Sequence, residues 1–248
     1  MSPREWDTGT YERVSGPQAE WAQRVLARLP LEGDETVLDA GCGSGRVTRM
    51  LLERLPRGRV VAVDSSESMV EHARQTLDER ATVFQADLAE LELDREVDAV
   101  FSNAVFHWVP DHQCLFERMY AALRPGGRLI AQCGGEGNTA RLHQAWNAVG
   151  ERVAYAPYLQ DMPRTWNFAG AEETADRLER AGFEEVETSL EPYPITPEEP
   201  SAFLRAVCLG PHLELLPEEL HDSFVEDVRA EAGDEIDYVR LNIAARRP

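Results

Sequence analysis

The sequence predicts an α/β fold in which a doubly wound, mostly parallel sheet carries an α-helical cap. An apolar strand that starts at Val37 runs into three alternating glycines and then into a helical pattern, RVTRMLLERL. Four further apolar segments alternate with helical ones, and the first three of these end in a polar residue. Strands that alternate with helices in this way are typical of a parallel sheet with a ligand crevice at its carboxyl edge.

The glycine-rich segment VLDAGCGSGRV indicates the kind of ligand. Glycines at positions 41, 43 and 45 allow the main chain to approach a ligand closely. A dinucleotide site with the spacing G-x-G-x-x-G would need its third glycine at position 46, where Arg46 stands. Asp39, two residues before the first glycine, would repel a pyrophosphate and suits a cationic ligand better. A nicotinamide-dependent oxidoreductase is therefore disfavoured.

The remaining core strands follow in order. The second, Val60 to Val63, ends in Asp64, where a carboxylate can hold ribose hydroxyls. Asp87 comes just after the third strand and Asn103 after the fourth, in FSNAVFHWV. The motif LRPGG predicts that a helix ends at positions 125–127 and that the fifth strand follows.

With these motifs, residues 34–135 resemble the class I S-adenosylmethionine-dependent methyltransferases, and in particular the small-molecule enzymes around trans-aconitate methyltransferase. The resemblance implies a Rossmann-like sheet of seven strands whose last strand is antiparallel. It also implies S-adenosyl-L-methionine as cofactor, with S-adenosyl-L-homocysteine as product.

The same resemblance assigns the methionine half of the cofactor. The backbone at Gly41, Gly43 and Gly45 would contact the methionine part. Asp39 would reach its ammonium group directly or through water, and Asn103 would contact it through the main chain.

For the nucleoside half, the resemblance implies that Asp64 holds the ribose and that Ser65 and Met69 flank the adenine. Asp87 would accept a hydrogen bond from the adenine amino group, and the Leu88 amide would donate to the ring. Each residue also has a structural interpretation: Asp64 could cap the next helix, Met69 could be core, and Asp87 could be a turn residue.

The acceptor is predicted to be a small acid. In carboxyl methyltransferases a Gln from the N-terminal helix and a Trp after the fourth strand hold the acceptor carboxylate, and Gln18 and Trp108 match those places. A carboxylate, with a pKa of about 4, is ionised at neutral pH and needs no general base. Packing between lid and core is the alternative for Trp108, and Gln18 could be a solvated helix residue.

A phenol or amine acceptor would need a base, and His107 is the histidine placed to serve. An anionic acceptor would need a counter-charge from the cap, with Arg164, Arg205 and Arg240 as candidates that the sequence does not rank.

The chain is expected to form one domain in three parts. Residues 1–33 would be an arm and a helix, Pro17 to Leu29, covering the active site. Residues 34–135 would be the cofactor-binding core, and 136–248 a helical cap with closing antiparallel strands.

Composition restricts the remaining possibilities. A net charge of −20 over 248 residues disfavours nucleic acid as a partner. The absence of lysine excludes Schiff-base chemistry. The sequence has neither a long apolar run nor a secretory leader, so a cytoplasmic protein without a membrane span is expected. The spacing of histidines and cysteines predicts no metal and four reduced thiols.

The sequence therefore predicts an enzyme, an S-adenosylmethionine-dependent methyltransferase acting on a small molecule at a carboxylate oxygen. The alternatives are methylation of a phenolic or amine metabolite with His107 as base, and a protein that binds the cofactor without catalysis. The oligomeric state is not predicted.

Overall fold

The computed structural model describes residues 16–163 and 166–248, with side chains from residue 21 onward, and seven strands in these ranges form one sheet. The strands are β1 (Thr36–Ala40), β2 (Arg59–Asp64), β3 (Ala81–Gln85), β4 (Val97–Asn103), β5 (Leu123–Gly134), β6 (Glu184–Pro192) and β7 (Val239–Arg246). Their order is β3-β2-β1-β4-β5-β7-β6. Strand β7 runs antiparallel to both of its neighbours, and the other strand pairs of the sheet are parallel. The predicted fold class is confirmed.

Helices connect the strands and cover both faces of the sheet. They are α1 (Gly16–Ala27), α2 (Arg46–Arg54), α3 (Glu67–Thr76), α4 (His112–Ala122), α5 (Ala140–Gly150), α6 (Ala156–Leu159), α7 (Ala171–Arg180), α8 (Pro200–Phe203), α9 (Gly210–Leu213) and α10 (His221–Ala232). A π-helical turn, Leu204–Cys208, and two 3₁₀ turns, Phe106–Trp108 and Glu218–Leu220, complete the described helical segments.

Local chemistry explains where several helices begin and end. Ser66 caps α3, because its Oγ accepts a hydrogen bond from the Met69 N–H at 3.3 Å. Asp111 caps α4 in the same way through the Cys114 N–H, at 3.0 Å. Helix α7 is followed by Gly182 at φ +102°, a left-handed residue that turns the chain into β6.

The LRPGG motif ends its helix earlier than predicted. Helix α4 stops at Ala122 and β5 already begins at Leu123, so positions 125–127 lie inside the strand. The register with β4 jumps from the pair Val97 and Leu123 to the pair Ala99 and Arg128. Proline disfavours a helical residue before it, and the extra residues are accommodated as an irregularity of the strand.

The apolar core lies in three clusters. Two of them cover opposite faces of the sheet: one includes α1 and α2, and the other includes α4 and α7. The third cluster holds the cap together, where α10 packs on α5 and α1 contributes Trp21. The buried residues of α5 include Leu142, Trp146 and Val149, which follow a helical spacing.

The cap segments lie in two connections of the sheet: α5 to α7 between β5 and β6, and α8 to α10 between β6 and β7. The division of the chain at residues 33 and 135 stays a prediction. Within the described ranges, no helix has both the length and the apolar character needed to cross a membrane.

Candidate active site

A row of polar residues crosses one face of the sheet at the edge where the parallel strands end. Asp39 on β1 pairs with Ala62, two residues before Asp64, and with Phe101, two residues before Asn103. Asn103 in turn pairs with Gln132 on β5. Residues two apart on a strand share a face, so these four polar residues lie on one side of the sheet. The row continues onto β7, where Gln132 pairs with Asn242 and Gly134 pairs with Arg240.

The row changes charge along its length. Its β2 and β1 end carries the carboxylates Asp64 and Asp39, its middle carries amides, and its β7 end carries the guanidinium of Arg240. We call the first end the cofactor half and the last the acceptor half, after the roles that the sequence predicts for them.

The glycine loop of the cofactor half has a backbone that other residues would strain. Gly41, Gly43 and Gly45 all have positive φ, of +89°, +53° and +86°. A Cβ at Gly41 would come within 2.2 Å of the Val105 side chain. A Cβ at Gly43 would meet no atom within 4 Å. Gly41 is therefore required by packing, whereas Gly43 borders open space.

The loop uses its N–H groups internally. Gly41 and Cys42 both donate to the Val63 carbonyl, at 2.8 and 2.9 Å, and Gly45 donates to Cys42 at 3.0 Å. The Gly43 N–H donates to Asp64 Oδ2 at 2.8 Å. A phosphate-binding loop relies on such N–H groups to bind its anion. Because these four are engaged, the loop is unsuited to a pyrophosphate.

Asp39 completes an environment that favours a cation. It is only 1% exposed, and its Oδ2 accepts from Thr48 Oγ1 at 2.6 Å. The pKa of Asp39 is raised to about 7: burial is the largest cause, the hydrogen bond from Thr48 opposes the rise, and the charge of Asp64 adds to it. A positively charged group placed beside this carboxyl would favour its ionised form, so an ammonium group fits the site.

Asp64, the last residue of β2, holds the glycine loop by hydrogen bonds. Its two oxygens accept from the Gly43 N–H and, at 3.0 Å, from the Ser66 N–H. Ser66, not Asp64, caps α3 with its side chain. A carboxylate has about four acceptor positions, so Asp64 can also receive ribose hydroxyls.

The predicted adenine contacts follow β2 and β3 in the chain, with Met69 inside helix α3. Ser65 is exposed, and its carbonyl accepts from Gln85 Nε2 at 2.8 Å. Met69 and Leu88 are buried. Asp87 is exposed and also forms the turn predicted as its alternative, because Oδ1 accepts from the Ala89 N–H at 2.9 Å. Their contacts with adenine stay predictions.

The end of β4 makes a turn that the sequence did not indicate. Ala104, directly after Asn103, has φ +62°, a conformation unfavourable for a residue with a Cβ. Its N–H donates to the Gln132 carbonyl at 2.7 Å, which holds the turn. The turn leads into the 3₁₀ segment that carries Trp108. Strained residues of this kind cluster at functional sites.

The acceptor half contains a cavity of about 80 Å³. Both Ala104 and Trp108 line it, together with the cap. Trp108 lies 5.7 Å from Trp166 between ring centroids, and Trp166 stacks on Trp146 at 5.2 Å. The rings that line the cavity are Trp21, His107, Trp108, His143, Trp146, Trp166, Phe168 and Tyr238.

Arg240 is the cap arginine that the structure places in this cavity. It is 2% exposed, with its guanidinium carbon 4.5 Å from the centre of the Trp21 ring and 5.9 Å from that of Tyr238. Its Nε donates to Gln132 Oε1 at 3.3 Å. Arg205 instead forms a surface ion pair with Asp222. Arg164 lies outside the described residues.

His107 is buried in the cavity wall and is a neutral ring. Its Nδ1 accepts from the Gly134 N–H at 3.3 Å. Burial, and then the charge of Arg240, lower the pKa of His107 well below its ordinary value of 6.5. Gln18 lies within α1, but its side chain is outside the described residues, so its predicted pairing with Trp108 stays a prediction.

Comparisons with known proteins identify the central segment. Residues 37–127 match the family described as methyltransferase domain. Trans-aconitate 2-methyltransferase of Azoarcus sp. (strain BH72) is 43% identical over 127 residues, which cover 51% of this chain and 50% of that protein. The chain thus matches about half the length of its curated relatives.

Solved structures extend the similarity to nearly the whole chain. An S-adenosylmethionine dependent methyltransferase from Mesorhizobium loti is 25% identical, with a TM-score of 0.57 over 92% of this chain and 98% of that one. Phosphoethanolamine N-methyltransferase 2 of Haemonchus contortus has the same fold, with a TM-score of 0.66 at 21% identity over 97% of this chain and 57% of that one. Residues 37–127 therefore form a methyltransferase domain, in a chain with the fold of S-adenosylmethionine-dependent methyltransferases.

Proposed function

We propose that this protein is an S-adenosylmethionine-dependent methyltransferase that methylates a carboxylate oxygen of a small acid by direct displacement. The observation that carries the proposal is the opposite charge of the two crevice halves. A sulfonium cofactor with an ammonium group suits the carboxylates of the cofactor half, and an anionic acceptor suits Arg240. Relatives named for trans-aconitate, itself a carboxylic acid, support the same acceptor class.

The cofactor half would hold S-adenosylmethionine through three features. The glycine loop leaves open space at Gly43. Asp39 would pair with the ammonium group, directly or through water, and Asp64 would accept the ribose hydroxyls. When bound, the cofactor would supply an electrophilic methyl group on a sulfonium sulfur, and the products would be a methyl ester and S-adenosylhomocysteine.

The chain would then contribute positioning and exclusion of water. The Trp108 indole N–H, and Gln18 as its predicted companion, would orient the carboxylate by donating hydrogen bonds without protonating it. The surrounding rings would exclude water from the reacting ions. Alignment of the acceptor oxygen with the methyl carbon and sulfur accounts for the rate in such a scheme.

The state of His107 supports an acceptor that needs no base. Because Nδ1 accepts the Gly134 N–H, the proton of the neutral ring resides on Nε2. A ring in this form donates a hydrogen bond at Nε2 and has no lone pair there to remove a proton. Methylation of a phenol or amine with His107 as base would require this arrangement to change.

Methyl-labelled S-adenosylmethionine tests the proposal. The purified protein is incubated with the label and a panel of small acids, phenols and amines. We expect label in an acid, released as methanol by mild alkali. Alkali-stable label in a phenol or amine would contradict the carboxylate proposal. Tight binding of S-adenosylhomocysteine with no transfer to any acceptor would favour the non-catalytic alternative.

A further inference from the structure

We propose that His143 determines which acceptor is bound, through a hydrogen bond between its Nε2 and a hydroxyl group on an aromatic acid. The inference rests on the proposed function, because it assumes that the reacting carboxylate lies beside Trp108. It adds a specificity-determining residue in the cap and a chemical class for the rest of the acceptor.

Helix α5 places His143 in the wall of the cavity. Thr139, which also lines the cavity, precedes the helix in a left-handed conformation with φ +52°. Its carbonyl accepts from the His143 N–H at 2.9 Å, and its N–H donates to the Asp237 carbonyl at 2.9 Å. The Arg141 N–H donates to Asp237 Oδ2, also at 2.9 Å. The first turn of α5, and with it His143, is therefore held against the segment that precedes β7.

Three aromatic rings hold the imidazole of His143. Its ring centroid lies 4.0 Å from that of Trp146 and 5.5 Å from those of Trp166 and Phe168. All three neighbours also line the cavity. A rotation of the imidazole out of this group would break contacts that stabilise aromatic pairs. The orientation of its nitrogens is thus set before a ligand binds.

Two polar atoms in the cavity wall need a partner. The Nε2 of His143 is buried and has no hydrogen-bond partner among the described residues, and the same holds for Nε1 of Trp21. Trp21 is only 2% exposed. Leaving a buried polar atom unsatisfied is costly, and native proteins do so rarely. Two such atoms in residues of one cavity indicate a ligand that brings polar groups of its own.

The charges around His143 favour a hydroxyl as its partner. Burial lowers the pKa of His143 to about 4, although the charge of Asp237 acts in the opposite direction, so the ring is neutral at pH 7. The Nε2 of a neutral imidazole donates or accepts according to its tautomer, and a hydroxyl group can do both. A second carboxylate at this place would be repelled by the charge of Asp237. An uncharged group therefore fits better.

The rings favour a flat body for the acceptor. The plane of Trp166 lies 12° from that of Phe168 and 25° from that of Trp146, so three lining rings are nearly parallel. An aromatic ligand gains from such faces beyond the burial of its area. Trp166 also lies 5.7 Å from Trp108 and 5.5 Å from His143 between ring centroids. One ring that carries a carboxylate and a hydroxyl can therefore reach both residues.

Calorimetry with the full chain saturated with S-adenosylhomocysteine tests the inference. The ligands are benzoate, cinnamate, the three ring-monohydroxylated forms of each, cyclohexanecarboxylate and trans-aconitate. We expect at least one hydroxylated acid to bind about twofold to tenfold tighter than its parent, the range for a hydrogen bond between neutral groups. Benzoate should bind tighter than its saturated counterpart, cyclohexanecarboxylate, and the best hydroxylated acid tighter than trans-aconitate. A different order in the unmodified protein would overturn the inference.

Variants assign the preference for the hydroxyl to His143. In His143→Phe, which keeps an aromatic ring, the ratio of hydroxylated to parent affinity should fall to about onefold. His143→Gln, which keeps a polar group, should retain part of the preference. His212→Phe is the matched control, because His212 contacts Trp146 at 4.8 Å but is not among the described residues that line the cavity. Its ratio should not change.

A merely structural His143 would weaken the hydroxylated acid and its parent equally. An unchanged ratio in His143→Phe would therefore overturn the inference, even if both affinities fell. The ratio also corrects for any loss of folded protein, since both ligands are measured on the same sample.

The outcomes separate this inference from the proposed function. Ester formation on an acid whose hydroxyl preference does not depend on His143 would leave the function standing and remove the role of His143. A preference that depends on His143, without ester formation on any acid, would do the reverse. Alkali-stable methylation of the ring hydroxyl would overturn both, because the hydroxyl would then be the reacting group.

Discussion

The two halves of the crevice are built by different means. The cofactor half comes from loops that directly follow neighbouring strands, and its shape depends on backbone conformation at the three glycines. The acceptor half combines side chains that are distant in the sequence, from Trp21 to Arg240, and its shape depends on how rings pack. The comparison teaches that a loop at the edge of the sheet can be fixed by a short segment, whereas a cavity lined by rings requires the complete fold.

The halves also treat charge differently. In the cofactor half, a buried carboxyl with a raised pKa lies behind a loop whose N–H groups are engaged. In the acceptor half, an arginine is held by rings and an amide. Changes to the first half should alter folding or cofactor affinity, and changes to the second should alter acceptor affinity or turnover alone.

The largest expected effect is that of Gly41→Ala. The added Cβ would come within 2.2 Å of Val105 at φ +89°, so we expect the free energy of unfolding to fall by about 3 kcal/mol or more, with loss of cofactor binding. Gly43→Ala is the matched control, since its Cβ meets no atom within 4 Å. It should fold, with a cost of about 1–2 kcal/mol for the left-handed backbone, yet bind S-adenosylhomocysteine more weakly.

Chemical denaturation and calorimetry measure the two effects. Equal destabilisation by both substitutions would contradict the packing role of Gly41, and unchanged affinity of Gly43→Ala for S-adenosylhomocysteine would mean that the open space at Gly43 is not a ligand site.

Trp108→Phe tests whether the indole N–H positions the acceptor, because the substitution keeps an aromatic ring and removes the N–H donor. We expect kcat/KM for the methylated acid to fall about tenfold to a hundredfold, the range for a hydrogen bond to a charged group. Affinity for S-adenosylhomocysteine should not change. Trp166→Phe, at a neighbouring ring of the same cavity, should cost less. If Trp108→Phe had full activity, positioning by its indole would be refuted.

Asp39→Asn tests the buried carboxyl through pH. Between its ordinary pKa of 3.8 and its folded value of about 7, Asp39 holds a proton in the folded protein that the unfolded chain has lost. Its contribution to stability is therefore present at low pH and is lost as the pH rises through 7. The melting temperature of Asp39→Asn relative to the unmodified protein should increase between pH 4 and pH 8. A difference that is constant with pH would show that Asp39 has no raised pKa.

Cofactor affinity should follow the opposite trend in the unmodified protein. The ammonium group favours ionised Asp39, so S-adenosylhomocysteine should bind up to about tenfold tighter per pH unit as the pH rises toward 7. Asp39→Asn should remove this dependence. Calorimetric titrations at pH 5, 6, 7 and 8 provide the measurement.

The smallest expected effect is that of His107→Asn. Because a carboxylate acceptor needs no base, we expect kcat to change by less than about tenfold and its pH profile to stay flat between pH 6 and 8. Steady-state rates with the labelled acid measure this. A loss of a hundredfold or more, with a new pH dependence, would favour the alternative with His107 as base.

Much of the fold could be predicted because each strand of the core carries a local signal. Apolar runs that end in Asp39, Asp64 or Asn103 mark the carboxyl edge of the sheet. The LRPGG motif predicts a helix end that lies too late in the chain, because in sequence a proline inside an irregular strand looks the same as a proline after a helix. The left-handed Ala104 had no signal, since alanine gives no indication of positive φ.

The sequence by itself determined the sheet and which carboxylates lie at its carboxyl edge, because positive φ, apolar periodicity and acids after strands are properties of short segments. Tertiary structure alone decided the acceptor half. The sequence does not distinguish Arg205 from Arg240. In the structure, however, Arg205 pairs with Asp222 at the surface, whereas Arg240 is buried against Trp21. The physical reason is that burial and ring contacts depend on which elements pack together, and for Trp21 and Arg240 those elements are more than two hundred residues apart in sequence.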